Sequence, residues 1–170
     1  RSEFLLHDAE FLAALAAALD GDETYPHDRL RQAWQTVCLN QFHDIIPGSS
    51  IAAVYAESLA QYAAVQAEAT AIRDEALSRI AGHAGGDLQV ANPTSFSRHD
   101  LAFWPGGDLD GRTLLRSDGR AVAVQPVDGG LLLAPGPCPP YSVTPLHFAG
   151  AGGPPPEHLP RDGRPRPRRG

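Results

Sequence analysis

Asn40-Gln41-Phe42-His43-Asp44-Ile45-Ile46-Pro47-Gly48-Ser49-Ser50 separates two helical patterns, and its reading decides the fold of the first half of the chain. Pro47-Gly48 breaks a helix, because proline has no amide donor and glycine favours turn conformations. Ser49 or Ser50 can then cap a new helix. The break leaves an imidazole beside a carboxylate, His43 next to Asp44, where a helix gives way to a turn. Side chains at such a point project into space that another domain can occupy.

Working outward from this stretch, the preceding residues predict a helix from about 26 to 42, with Leu30, Trp34, Val37 and Cys38 on one face. Pro26 near its first turn costs little, since that amide would be unpaired anyway. Before it, Leu5, Leu12, Leu15 and Leu19 form a stripe at helical spacing, which predicts a helix over 2–19 ended by Asp20-Gly21-Asp22. After the break, Ile51, Tyr55, Tyr62, Val65, Ala69, Ile72, Ala76 and Ile80 recur every three to seven residues and predict a long helix over 50–81. Three amphipathic helices with short connections make an antiparallel bundle.

Beyond Gly85-Gly86 the pattern changes to short apolar runs between turn signals. The expected strands are 88–91, 100–104, 112–115, 121–127, 130–133 and 141–146. Asp118-Gly119 and Asp128-Gly129 are hairpin signals. From about residue 150 the chain is rich in Gly, Pro and Arg and has nothing to bury, so it is expected to be disordered. The resulting fold class is α+β: a three-helix bundle (1–86), an incomplete antiparallel β-sandwich region (87–148) and a disordered tail (149–170). The strand pattern stops abruptly, which a natural linker or a frame error or truncation would each explain.

The chain has 170 residues, no Met and a net charge of -6. The missing Met suggests a piece of a longer protein. All 14 basic residues are Arg, and five of them (Arg161, Arg164, Arg166, Arg168, Arg169) lie in the final ten residues. The acidic body argues against a nucleic-acid partner, because phosphate binding depends on basic patches. The absence of an apolar run of about 18 residues argues against a membrane span. Cys38 and Cys138 are far apart and form no Cys-x-x-Cys, which disfavours a disulfide framework or a thiolate zinc site. Reduced thiols fit a cytoplasmic setting.

His43 with Asp44 is the leading candidate for chemistry. A neutral imidazole is a good zinc ligand, and an adjacent carboxylate can bind substrate hydroxyls or orient another ligand. The bland alternative is a helix-end histidine that packs or caps carbonyls. Trp34, Tyr55, Tyr62 and Cys38 read as core residues, Glu57 and Glu68 as solvated faces, and His7, His27, His83 and His99 as surface or loop residues. Four His-Asp pairs (7–8, 27–28, 43–44, 99–100) raise a rival reading, a His-Asp metal-dependent phosphohydrolase. That reading requires further metal ligands within the bundle. A non-catalytic helical and β binding module is the other alternative.

The segment 40–50 closely resembles the signature of glycoside hydrolase family 38 α-mannosidases, particularly the bacterial type. Leu30-Arg31-Gln32-Ala33-Trp34 resembles the approach to it. Ile51 with Val54-Tyr55 resembles the helix after it. Val90-Ala91-Asn92-Pro93-Thr94-Ser95-Phe96-Ser97-Arg98 resembles the opening of the family's C-terminal β region. The resemblance covers about residues 1–148. It implies that His43 is one of four zinc ligands and that Asp44 contacts the sugar or supports the metal. It implies that the remaining ligands, the nucleophile and the general acid/base come from an N-terminal α/β catalytic domain absent from this sequence. The implied parent hydrolyses α-mannosidic bonds of a mannoside or oligosaccharide with retention, with zinc as cofactor. These 170 residues alone are then expected to be inactive.

Overall fold

The computed structural model describes residues 1–21 and 25–150. The chain divides into two compact units, one spanning Arg1–His83 and one from Ala84 onward. The expected disordered tail lies, from residue 151, outside the described residues.

The first unit holds three helices: α1 (Ser2–Asp20), α2 (His27–Asn40) and α3 (Ala52–Ala84). α1 ends where Gly21 enters the left-handed region at φ 87° and its amide bonds to the Ala17 carbonyl, a conformation that is cheap for glycine. α1 and α2 are antiparallel. Gln41 beyond the end of α2 donates to Glu3 at the start of α1, and Trp34 donates its indole N–H to Glu10 at 3.1 Å. α2 and α3 are also antiparallel. Arg29 bonds Glu75 at 2.7 Å and also bonds Glu68, while Asn40 donates to Gln61 at 2.7 Å. α1 and α3 therefore run parallel, joined at one end by Gln66 and Ser2 and at the other by Asp20 with Arg79 and His83.

The buried face of α1 is Leu6, Ala9, Leu12, Ala13, Ala16 and Ala17. Of the expected leucine stripe only Leu12 is in it, and Leu19 is exposed. Alanines let helix axes approach closely, so the small residues fix the seam. Cys38, expected in the core, is exposed: Val37 and Leu30 point inward, and one residue step rotates a side chain by about 100°. Ile51, expected to begin the α3 stripe, precedes the helix and is 72% exposed. His83, expected in or near a loop, lies in the last turn of α3.

Among the described residues the second unit holds six strands: β1 (Leu88–Asn92), β2 (Ala102–Pro105), β3 (Thr113–Arg116), β4 (Ala123–Val127), β5 (Gly130–Ala134) and β6 (Ser142–Ala149). They form two three-stranded antiparallel sheets, ordered β1-β6-β3 and β2-β5-β4. β6 runs through Ala149, past the expected strand end at 146. Leu114 and Leu146 from the first sheet and Val124, Leu131 and Leu133 from the second share one buried cluster with Val122. The three proline-bearing strands obey the donor rule, Pro105 standing at the end of the edge strand β2. Pro126 is on the edge strand β4. Pro145 lies in β6 where only β1 pairs with it, because β3 meets β6 from Leu146 onward.

Asn92 ties the loops of this unit together. It is 2% exposed, and its amide nitrogen donates to the carbonyls of Phe96, Cys138 and Pro139 at 2.7–3.0 Å. Its amide oxygen accepts from the Thr94 N–H and hydroxyl. An asparagine followed by proline suits this role, because its amide can satisfy backbone groups where the ladder ends.

Candidate functional site

α2 ends at Asn40, and Pro47 and Gly48 impose a turn on the chain ahead. Gln41 closes the last helical turn with bonds to the Val37 and Cys38 carbonyls. The chain then curls tightly: the amides of Ile45 and Ile46 both bond the Phe42 carbonyl, and that of Gly48 bonds the Ile45 carbonyl. Gly48 sits at φ 83°, where a side chain would be strained.

His43 and Asp44 are at the crest of this turn. Their side chains are 77% and 62% exposed, and His43 Nε2 is 3.5 Å from Asp44 Oδ1. That distance is at the outer limit of a hydrogen bond, so the two groups are neighbours and not a locked pair. The Phe42 ring leans on the imidazole at 4.2 Å between centroids. The backbone below them is anchored at several points. Ser50 and Ser49 hydroxyls donate to the Asp44 carbonyl at 2.7 and 3.3 Å. The Tyr55 hydroxyl accepts from the Ser50 amide at 2.9 Å and donates to the Ile45 carbonyl at 3.3 Å. Asn40 is buried and joins Thr36 and Gln61, holding the end of α2 to α3. Two exposed residues thus stand on a well-tethered loop.

Zinc takes three or four donors from His, Cys, Asp or Glu. No group of three such residues that could hold a metal is present among the described residues. The phosphohydrolase reading, which needs several ligands within one helical unit, finds no such cluster there. An exposed imidazole on an anchored loop suits a donor whose companions come from elsewhere. Exposed apolar side chains lie near it in sequence: Leu39, Phe42, Ile46 and Ile51 are 51–72% exposed.

The other histidines serve different ends. His7 meets Asp8 at 3.2 Å on an exposed surface. His27 packs edge-on against Tyr25. His83 reaches Asp20 at 2.6 Å, beside Arg79, and holds that carboxyl, with help from Arg79, below its ordinary value. The sequence reading missed this cluster, because its partners are more than 50 residues apart. It also missed the role of Tyr55, whose helical spacing suggests core packing and gives no hint of where the hydroxyl ends.

Residues 1–80 match the family described as Alpha mannosidase middle domain. The helical half is similar to an alpha-mannosidase middle domain. Human Alpha-mannosidase 2C1 is 31% identical over 105 residues, which cover 61% of this chain and 10% of that protein. The Alpha-mannosidase of Saccharomyces cerevisiae is 33% identical over 99 residues, 57% of this chain and 9% of its own length. The chain thus spans about a tenth of these alpha-mannosidases. Two solved structures from Enterococcus faecalis share the fold. One is described as a protein in the glycosyl hydrolase family 38, with a TM-score of 0.62 and 18% identity over 87% of this chain and 23% of its own. The other, an alpha-mannosidase, gives a TM-score of 0.64 and 19% identity over 85% and 22%. The likeness extends beyond the middle domain, since 85% or more of the chain exceeds residues 1–80.

Proposed function

We propose that these residues are part of a zinc-dependent retaining α-mannosidase, with His43 as a metal ligand and Asp44 as a sugar-binding carboxylate. The observation that carries the reading is the exposure of His43 and Asp44 together on an anchored turn, within a stretch matching the alpha-mannosidase middle domain. In this reading the three helices act as a bundle, domains divide at 86–87, and the two sheets begin a larger antiparallel sandwich. The catalytic carboxylates belong to an N-terminal α/β domain outside this sequence. One attacks the anomeric carbon, and the other protonates the departing oxygen and later activates water. Zinc, when bound, would supply Lewis-acid binding of adjacent sugar hydroxyls.

The chain's own residues have simpler tasks. His43 offers one ring nitrogen, in the neutral form a metal requires. Asp44 accepts hydrogen bonds from sugar hydroxyls, two oxygens suiting a vicinal pair. The tethered loop holds both in place, so little order need be lost on binding. No helix among the described residues is long and apolar enough to cross a membrane. With both thiols free, we assign the protein to the cytoplasm, acting on a mannoside or oligosaccharide and not on nucleic acid.

The test joins this sequence to the catalytic domain of a longer chain and measures zinc content and hydrolysis of an aryl α-mannoside. His43→Ala is expected to lose zinc and reduce kcat/KM by at least about 100-fold, the scale of losing a group that acts in the transition state. Asp44→Ala is expected to keep zinc while binding substrate more weakly. Full zinc content and activity in His43→Ala would leave the module as a non-catalytic binding element.

A further inference from the structure

We propose that Tyr55 is a positioning residue of this site: its phenolic oxygen clamps both ends of the turn and so sets where His43 and Asp44 stand. The inference rests on reading these two residues as the site. Its physical basis is separate from the metal.

The Tyr55 oxygen is both acceptor and donor. It takes the Ser50 amide hydrogen at 2.9 Å and gives its own hydrogen to the Ile45 carbonyl at 3.3 Å. Those two backbone groups lie on either side of Pro47-Gly48, so one atom ties the two arms of the turn together. The serine hydroxyls complete the brace by holding the Asp44 carbonyl from the same side of the chain. The two carbonyls belong to the peptide units 44–45 and 45–46, so holding them fixes the backbone on the C-terminal side of Asp44 and, one residue further back, of His43. The ring is only half-buried, and Tyr55 stands in the first turn of α3, a rigid element. Apolar packing alone would be met by Phe. The hydroxyl is the part that reaches the loop.

The experiment uses the full 170-residue chain, with no metal or substrate, and compares Tyr55→Phe with Tyr62→Phe by nuclear magnetic resonance. Tyr62 lies two turns further along the same helix. Tyr55→Phe is expected to speed Ser50 amide exchange by about five- to tenfold, the scale of one lost hydrogen bond, and to shift the His43 ring and Asp44 carboxylate signals. Tyr62→Phe is expected to change neither. Unchanged Ser50 exchange in Tyr55→Phe, unmoved His43 and Asp44 signals, or equal changes in Tyr62→Phe would each overturn the proposal. If Tyr55→Phe does not fold, the unaltered chain decides: a protected Ser50 amide supports the clamp, and exchange at the unprotected rate refutes it. Neither readout involves zinc, so a failure here is separate from the retention of zinc in His43→Ala that would sink the functional reading.

Discussion

At the scale of single residues, the molecule relies on a few polar side chains that satisfy backbone groups where regular structure ends. Asn92 does this most completely, joining three carbonyls and the Thr94 donors from a buried position. Asn92→Ala is expected to destabilise the β unit by about 2–4 kcal/mol, because it leaves several buried groups without partners. Asn92→Asp is expected to be no better, since it replaces the amide donor with a charge facing three carbonyl oxygens. Chemical denaturation of the β unit signals measures both. His43 and Asp44 contrast with Asn92. They are exposed and weakly paired with each other, so His43→Ala is expected to shift stability by less than about 0.5 kcal/mol while removing the proposed function. That separation of stability from activity marks a residue kept for chemistry.

At the scale of elements, two junctions are testable. Gly130 opens β5 where it pairs with Pro105 of β2. A β-carbon there would fall 2.2 Å from the Trp104 carbonyl oxygen, a backbone atom that cannot rotate away. Gly130→Ala is therefore expected to cost about 1–3 kcal/mol and to loosen the β2-β5 edge first. Amide exchange across that pair would show it. The second junction joins the ends of α1 and α3 through Asp20, bonded by His83 and Arg79 at 2.6 Å each. The His83 contact and then Arg79 lower the Asp20 pKa. A depressed carboxyl stabilises the fold fully above its unfolded value, about pH 4, and that contribution is lost as pH falls through the folded value. The thermal midpoint of the helical unit is thus expected to fall below about pH 4, and Asp20→Asn to flatten that part of the profile. An unchanged profile in Asp20→Asn would place the acid sensitivity elsewhere, with Glu75 the next group, held low by Arg29.

At the scale of the whole molecule, the chain spans about a tenth of the curated alpha-mannosidases it matches, and no three-residue metal cluster exists among its described residues. These residues alone are expected to release no nitrophenol from an aryl α-mannoside, even with added zinc. Turnover that persisted through purification and vanished in His43→Ala would contradict this. The three helices and six strands were legible because each leaves a local mark: apolar spacing of three to four residues, Pro-Gly and Gly-Gly breaks, and short runs between Asp-Gly turns. The exposed turn carrying His43 and Asp44 was legible because Pro47 and Gly48 dictate it locally. The seam of α1 was not, since its alanines carry little hydropathy signal and count only when a second helix needs to approach. Nor were the pairing of β6 with both β1 and β3, the Asp20–His83 contact or the reach of the Tyr55 hydroxyl. Sequence by itself determined which segments are helix, strand or turn, because those preferences act within a few residues. Tertiary structure decided which faces are buried and which polar groups meet, because those choices depend on partners that only packing brings together, from Tyr55 and Ile45, 10 residues apart, to Asp20 and His83, 63 apart, and no local pattern encodes them.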